Sequence, residues 1–315
     1  MYVVVSSPSD EHIALVEKHL DEPFVVLNTR DILEFREHTY ALAGKQTTLT
    51  RDNRQLKDVK SVWYRRSMLL HKEELPVREE HADFSLEAIK RFNELVFNQF
   101  SDALWISSYY AIRRANDKFW QLQVASRLGF NVPDTIMTNS GQKALEFTKR
   151  HDAVIAKPAF ARAYRHKDTM RAFYTTKVDA TTDFSGLSMA PAIIQQAIMD
   201  IEAELRITVV RDKVFAASVV GDTEGVAGHL RDWRPAGLLR DVTVREYDLP
   251  PKIAKLCVAH VKEMGLEFGA IDMIVDKKGK YWFLENNPNG QWGFVELATG
   301  QPIGKAIAEL LMAGK

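Results

Sequence analysis

Gly269-Ala-Ile-Asp-Met-Ile-Val-Asp-Lys-Lys-Gly-Lys-Tyr-Trp-Phe-Leu-Glu-Asn-Asn-Pro-Asn-Gly290 is the stretch whose reading decides the fold. Two apolar runs flank Asp276-Lys277-Lys278-Gly279, and a short polar run ending in glycine between such segments is a β-hairpin connection. If the connection holds an even number of residues, the alternation of side chains puts Asp272 on the same face as Phe283, Glu285 and Asn287. Two carboxylates about 4 Å apart repel by roughly 4 kcal/mol at an effective dielectric near 20, so such a pair calls for a cation or a proton between them. Magnesium suits the set, since it takes carboxylate and amide oxygens and completes its shell with water and phosphate oxygens. The competing reading is an edge hairpin whose polar residues face water. Apolar Ile271, Ile274, Tyr281 and Phe283, and the turn Asn287-Pro288-Asn289-Gly290, weigh against it.

With these residues in view, the hairpin resembles the metal-binding hairpin of ATP-grasp carboxylate-amine ligases. Its continuation, Gly290-Gln291-Trp292 through Glu296, resembles the microviridin-type (graspetide) peptide macrocyclases. The resemblance implies a three-lobed ATP-grasp fold, α/β and α+β in class. Its lobes would be an N-terminal pre-ATP-grasp domain (1–108), a central lobe (109–192) and a C-terminal lobe carrying the hairpin (193–315). It further implies ATP and Mg2+, with Asp272, Glu285 and Asn287 holding the metal on the phosphates. The position before Asn287 is usually apolar in that family and is Asn286 here. Alternation points Asn286 away from the metal, so the change is expected to be tolerated.

Totals narrow the alternatives. The chain has 315 residues, enough for two or three packed domains. Lys plus Arg and Asp plus Glu both number 42, so formal net charge is zero and a general nucleic-acid footprint is not expected. The single cysteine, Cys257, excludes a disulfide framework and sits on an apolar helical stripe, which reads as core packing. Met1 leads straight into Tyr2-Val3-Val4-Val5 without the basic start of a signal peptide, and no apolar run approaches a membrane span. A cytoplasmic protein is expected.

In chain order, Tyr2 to Ser6, Asp10 to Leu20 and Phe24 to Leu27 predict strand, helix and strand, the start of a small parallel sheet. Further strands are predicted at Thr39 to Leu42, Thr47 to Thr50 and Val59 to Tyr64, then a helix from about Phe84 to Phe100. Trp63-Tyr64-Arg65-Arg66 ends one strand with two arginines that would clamp a carboxylate or phosphate, the alternative being a solvated pair. In the family this segment continues with proline; here Ser67 follows, and Arg65 and Arg66 are carried over as substrate-side residues.

A helix is predicted to Leu128, capped by Asn116 and stopped by Gly129. Strand Asp134 to Thr138, helix Gly141 to Arg150, strand Ala153 to Pro158 and strand Ala172 to Val178 then make an α+β unit. Lys157 ends an apolar Val-Ile-Ala-Lys strand where an unpaired charge is expensive. By resemblance it contacts the α-phosphate and adenine, and Lys118 contacts phosphate. The segment Ala159 to Met170 reads as a basic loop without glycine, so Arg162 and Arg165 would grip phosphate or substrate by charge. Gln195-Gln196-Ala197-Ile198 is placed as the adenine hinge, read through backbone groups. In the next strand Glu204 and Arg206 share a face. The resemblance gives Glu204 the ribose hydroxyls and Arg206 the charge of the transferring phosphoryl group. Asp232-Trp233-Arg234 resembles a family motif whose arginine approaches phosphates and acyl substrate, although the Ser-Gln pair expected upstream is absent. Pro302 to Met312 reads as a closing helix.

The activity implied is activation of Asp or Glu side chains of a precursor peptide, with leader and core segments, and their joining to Ser, Thr or Lys as ω-esters or ω-amides. No nucleic acid or membrane partner is expected, and a homodimer is the candidate assembly. The rivals are a ligase adding free amino acids to a peptide or protein carboxylate and an idle nucleotide- and peptide-binding adaptor.

Overall fold

Tyr2, Val3, Val4 and Val5 are all buried, as expected where β-branched residues are covered on both faces of a parallel sheet. The computed structural model describes residues 1–66, 70–159, 163–166, 169–172, 175–221 and 242–314, of which 163–166 and 169–172 are described by backbone alone. Strand β1 (Tyr2–Val5) is followed by helix α1 (Glu11–Glu17), begun by Asp10, whose side chain accepts the His12 N–H, and then by β2 (Phe24–Leu27). An antiparallel sheet of β3 (His38–Ala43), β4 (Gln46–Arg51) and β5 (Arg54–Leu56) intervenes. The chain then returns as β6 (Ser61–Tyr64), and helix α2 (Glu79–Glu94) leads to β7 (Leu104–Ile106). The order β2-β1-β6-β7, with every pair parallel, is the small sheet expected, widened by a strand too short to stand out in the sequence. The closing helix Ile303–Met312 packs on α1 and β6, and Ser61 Oγ donates to the Leu311 carbonyl. These elements form one compact unit, Met1–Ile112 with Leu266–Phe268 and the chain from Pro302.

The second unit comprises Arg113–Gly265 and Gly269–Gln301. Helix α3 (Tyr109–Ala115) leads to α4 (Lys118–Leu128). The cap of α4 is Asp117, not Asn116: the Asp117 carboxylate accepts the Trp120 N–H at 3.0 Å, the reach a cap needs three residues ahead. Gly129 ends α4 at φ +95°, as expected of the residue after a helix. Strands β8 (Thr135–Thr138) and β9 (Val154–Pro158) flank helix α5 (Gly141–Thr148), which turns Ala144 and Phe147 onto a core with Val154, Val178 and Ile194. The segment read as a basic loop contains a hairpin, β10 (Ala163–His166) antiparallel to β11 (Thr169–Ala172). The strand expected from Ala172 to Val178 is correspondingly shorter, β12 (Thr176–Val178). With β13 (Ala192–Gln196) these give an antiparallel sheet in the order β12-β9-β13-β8.

Strands β14 (Ile201–Val210), β15 (Lys213–Gly221) and β16 (Val242–Glu246) precede helix α6 (Pro251–Glu263). Strands β17 (Phe268–Asp276) and β18 (Tyr281–Asn287) and the short helix α7 (Gly293–Thr299) complete the unit. The sheet order is β16-β15-β14-β17-β18, so the quoted hairpin forms one edge. Helix α6 packs on β14 and β15 with Cys257 fully buried, its thiol pushed up to about 12 by burial: a packing residue, as its stripe suggested. No helix among the described residues is long and apolar enough to cross a membrane.

Candidate nucleotide and metal site

The polar residues of the hairpin meet their expected geometry by a different route, whereas Phe283, expected on the face of Asp272, pairs with Met273 and packs against Phe130 and His260. The hairpin tip pairs Val275 with Tyr281, Ile274 with Trp282 and Met273 with Phe283, leaving the odd-length connection Asp276 to Lys280. Continued unbroken, that register would set Asp272 opposite Leu284 and turn Glu285 to the far face. A bulge intervenes between Asp272 and Met273, Leu284 becomes the extra residue, and Asp272 pairs with Glu285. Asn287 Nδ2 then lies 3.2 Å from both Asp272 Oδ2 and Glu285 Oε1.

Two cations answer the two carboxylates. Lys118 Nζ, from the first turn of α4, lies 2.8 Å from Glu285 Oε2, and Arg206 Nη1, from β14, lies 3.2 Å from Asp272 Oδ1. These four side chains therefore sum to zero charge. A divalent cation added alone would leave an excess of two positive charges in a half-buried site, whereas one arriving with a polyphosphate would not. The donor set fits magnesium: two carboxylates and an amide carbonyl oxygen, too few to enclose the ion and enough to share it with phosphates. Asp272, Glu285 and Asn287 would hold it, the last through Oδ1.

Lys118, Arg206, Asp272 and Glu285 lie at a cleft open to solvent. Its walls also include Lys157, Gln195, Gln196, Ala197, Ile198 and Glu204, so the hinge and the predicted ligand residues of four separate strands face one space. Ile155, Leu205, Met273, Ile274 and Leu284 supply the apolar part that a base would need. The hinge differs in detail from a purely backbone reader. The Gln196 and Ala197 N–H groups already donate to the Asp134 and Ala153 carbonyls at 2.8 and 2.9 Å. Gln195 is buried, its Nε2 donating to Thr135 Oγ1 at 2.8 Å, and its Oε1 has no hydrogen-bond partner among the described residues.

Other expected residues sit elsewhere or outside view. Arg65 is 2% exposed in the first unit, 3.5 Å from Asp10 Oδ2 and 3.2 Å from His12 Nδ1. Burial lowers its pKa, and Asp10 opposes that shift. Asp10 is raised by burial, yet the hydrogen bond from His12 and the Arg65 charge prevail and hold its carboxyl far below the usual range. Of the pair proposed as a clamp, only Arg66 is exposed. Arg162 and Arg234 fall outside the described residues, as does the side chain of Arg165 on β10.

Sequence reasoning passed over Gln121, Asn286 and His260 as functional positions. Asn286 does point away from the carboxylates, but into a polar buried cluster. Its Nδ2 donates to His260 Nδ1 at 3.4 Å, and its peptide pairs with the Gln121 side chain. Burial pushes His260 down to about 4, its hydrogen bond to the Gln121 carbonyl opposing. The available signal was a glutamine interrupting the buried face Leu122, Val124 and Ala125 of α4.

This arrangement, carboxylates and amide on a C-terminal hairpin with lysines and an arginine around one cleft, defines a nucleotide-dependent ligase site of the ATP-grasp class. Residues 115–311 match the RimK-like ATP-grasp domain, and the chain belongs to that family. Over its length it is similar to a RiPP-associated ATP-grasp ligase from Chryseobacterium gregarium, solved in complex with ADP and a leader and core peptide. That match has 26% identity, TM-score 0.86, and 99% and 96% of the two chains covered. It is also similar to macrocyclase MdnC from Microcystis aeruginosa MRC bound with precursor peptide MdnA, with 28% identity, TM-score 0.83 and 99% of each chain covered. The D-Ala:D-Ser ligase VanG from Enterococcus faecalis, at 14% identity and TM-score 0.56 with 99% and 97% covered, shares the fold alone. No curated protein sequence matches the chain.

Proposed function

We propose that this protein is an ATP-dependent peptide ligase that activates Asp or Glu side chains of a precursor peptide and joins them to Ser or Thr hydroxyls or Lys amines, closing rings. The observation that carries this reading is likeness over the whole chain, including the N-terminal unit outside the matched domain, to two peptide-bound ligases. ATP would supply the γ-phosphoryl group that turns a substrate carboxylate into an acyl phosphate, with ADP as the leaving group, and magnesium would neutralise charge on the phosphates. The chain's own residues do the rest. Lys118 and Lys157 hold phosphate oxygens in the cleft, Glu204 holds the ribose, and Ala197 and Ile198 bound the base. Arg206, fixed beside Asp272, spreads charge that grows as the phosphoryl group moves and stabilises the oxyanion formed when a hydroxyl or amine attacks the acyl carbon, which then expels inorganic phosphate as the nucleophile gives up its proton. Arg234 is assigned to the same acyl centre. Arg66 is the substrate-side residue at the surface of the first unit, while Arg162 and Arg165 are assigned to a constant leader segment. A leader bound away from the reacting side chains raises the effective concentration of every core site at once.

The test is mass spectrometry of a cognate precursor incubated with enzyme, ATP and Mg2+. Each crosslink removes one water; a gain in mass by whole amino acids would establish the free amino-acid ligase instead. Unchanged peptide with no ADP formed would leave only the adaptor. Removing the leader is expected to abolish processing at low peptide concentration.

A further inference from the structure

Building on the reading of Asp272, Glu285 and Asn287 as metal ligands, we infer that Gln121 is the positioning residue that holds the metal-bearing strand in register with Lys118. Gln121 is 3% exposed and does not line the cleft. Its role follows from the position of β18 at a sheet edge, where one row of backbone N–H and C=O groups has no neighbouring strand. Here that row is served by α4 and the residues just after it. The Phe283 N–H donates to the Asn131 carbonyl at 2.9 Å, and Asn131 Nδ2 donates to the Tyr281 carbonyl at 2.9 Å. Further along, the Gln121 side chain takes the place of a strand: its Oε1 accepts the Asn286 N–H at 2.9 Å and its Nε2 donates to the Asn286 carbonyl at 2.7 Å.

Asn286 lies between Glu285 and Asn287, so whatever fixes its peptide fixes both proposed ligands. Gln121 lies one helical turn beyond Lys118, which pairs with Glu285. Two consecutive turns of α4 thus grip two consecutive residues of β18, one through charge and one through the backbone. The Gln121 amide has no slack, because its Nε2 also donates to the Ala115 carbonyl at 2.7 Å. The Gln121 backbone carbonyl accepts from His260 Nε2 at 3.2 Å, while His260 Nδ1 accepts from Asn286 Nδ2. Packing alone does not require this arrangement, for an apolar residue would fill the space as Leu122 and Val124 do. Hydrophobic contact is non-directional and leaves a strand free to slide, whereas a metal site has to be held to within about 0.5 Å.

The test compares the full-length protein with Gln121→Met, similar in length without the amide, and Gln121→Glu, which retains only the acceptor for the Asn286 N–H. ADP affinity is measured by calorimetry in EDTA and in Mg2+, with melting temperature and backbone hydrogen exchange of the metal-free protein alongside. Gln121→Met is expected to keep its metal-free ADP affinity, to lose about 10- to 100-fold of the gain that Mg2+ confers, and to exchange faster around Asn286. Gln121→Glu is expected to fall between. Retention of the full Mg2+ gain in Gln121→Met would overturn the assignment. So would an equal loss with and without Mg2+, which would mark Gln121 as general scaffolding. Should Gln121→Met fail to fold, Gln121→Glu decides by the same two criteria. A wild-type protein whose ADP affinity gains nothing from Mg2+ would instead sink the metal-site reading itself, and this inference with it.

Discussion

The two sides of β18 carry polar clusters of opposite design. Toward the cleft stand Asp272, Glu285 and Lys118, charged and partly open, with Asp272 side-chain exposure at 27%, and behind them Arg206, which is charged and buried. Away from it stand Asn286, Gln121 and His260, uncharged and at 1%, 3% and 0% exposure. Charges are affordable where a ligand and water complete their shells, and neutral donors and acceptors are used where nothing will arrive. The first unit offers a third case. Arg65 and Asp10 are charged like the front cluster but closed like the back one, with Asp10 only 8% exposed. The contrast separates residues that act on a ligand from residues that hold the fold, although all three groups are polar and internal.

The sharpest way to break that contrast is on the open side. Glu285→Ala or Asn287→Ala is expected to lower ADP formation by about a thousandfold, since the charge stabilisation lost is several kcal/mol and each factor of ten is 1.36 kcal/mol. The melting temperature should hardly move. Near-normal turnover at saturating Mg2+ would mean that these side chains do not hold the metal.

Arg65→Ala should do the reverse. Stripping one partner from a buried ion pair is expected to cost about 3–5 kcal/mol, read by urea unfolding, because Asp10 is left buried beside His12. ADP affinity of the folded fraction should be unchanged. A variant of ordinary stability that fails only with peptide would restore Arg65 to the substrate side.

On the closed side of β18, His260 makes stability depend on pH. Its folded-state value of about 4 lies below the ordinary 6.5, so between those limits the unfolded chain takes up the proton first. Stability should fall as pH is lowered from 6.5 toward 4, by about 3 kcal/mol from this group, and level off below. Replacing His260 with Gln should flatten that slope in unfolding measurements at a series of pH values. The smallest effect expected is from Gly269→Ala. An added Cβ would meet Asn286 Oδ1 at 2.6 Å and Val261 Cγ2 at 2.7 Å, costing about 1–3 kcal/mol of stability by overpacking.

The grouping of the open cluster was legible in the sequence. A strand bearing Asp272 and a return strand ending in Glu285 and Asn287 were expected to converge, and β17 and β18 do bring the three side chains together. The hairpin's register was not legible: period-two counting assumed an even connection, and the bulge at Leu284 that rescues the parity has no compositional mark. The hairpin of β10 and β11 hid within a run of basic residues that read as loop. Gln121 was invisible for a different reason. A side chain that completes another strand's backbone bonds across 165 positions leaves no local pattern, only a polar residue where an apolar one would serve. Arg65 misled because its two neighbours in space, Asp10 and His12, lie far from it along the chain.

Asn286, His260 and Gly269 also constrain one another's choice of side chain. The amide needs the imidazole as its partner, and both its heteroatoms occupy the space a methyl at 269 would claim. An exchange to an aliphatic residue at 286 alone strands a buried imidazole nitrogen, and one at 269 alone drives a carbon into the amide. Replacing this interior by an apolar one therefore calls for coordinated changes at all three positions, since each single exchange leaves a polar atom unpaired or two groups in collision.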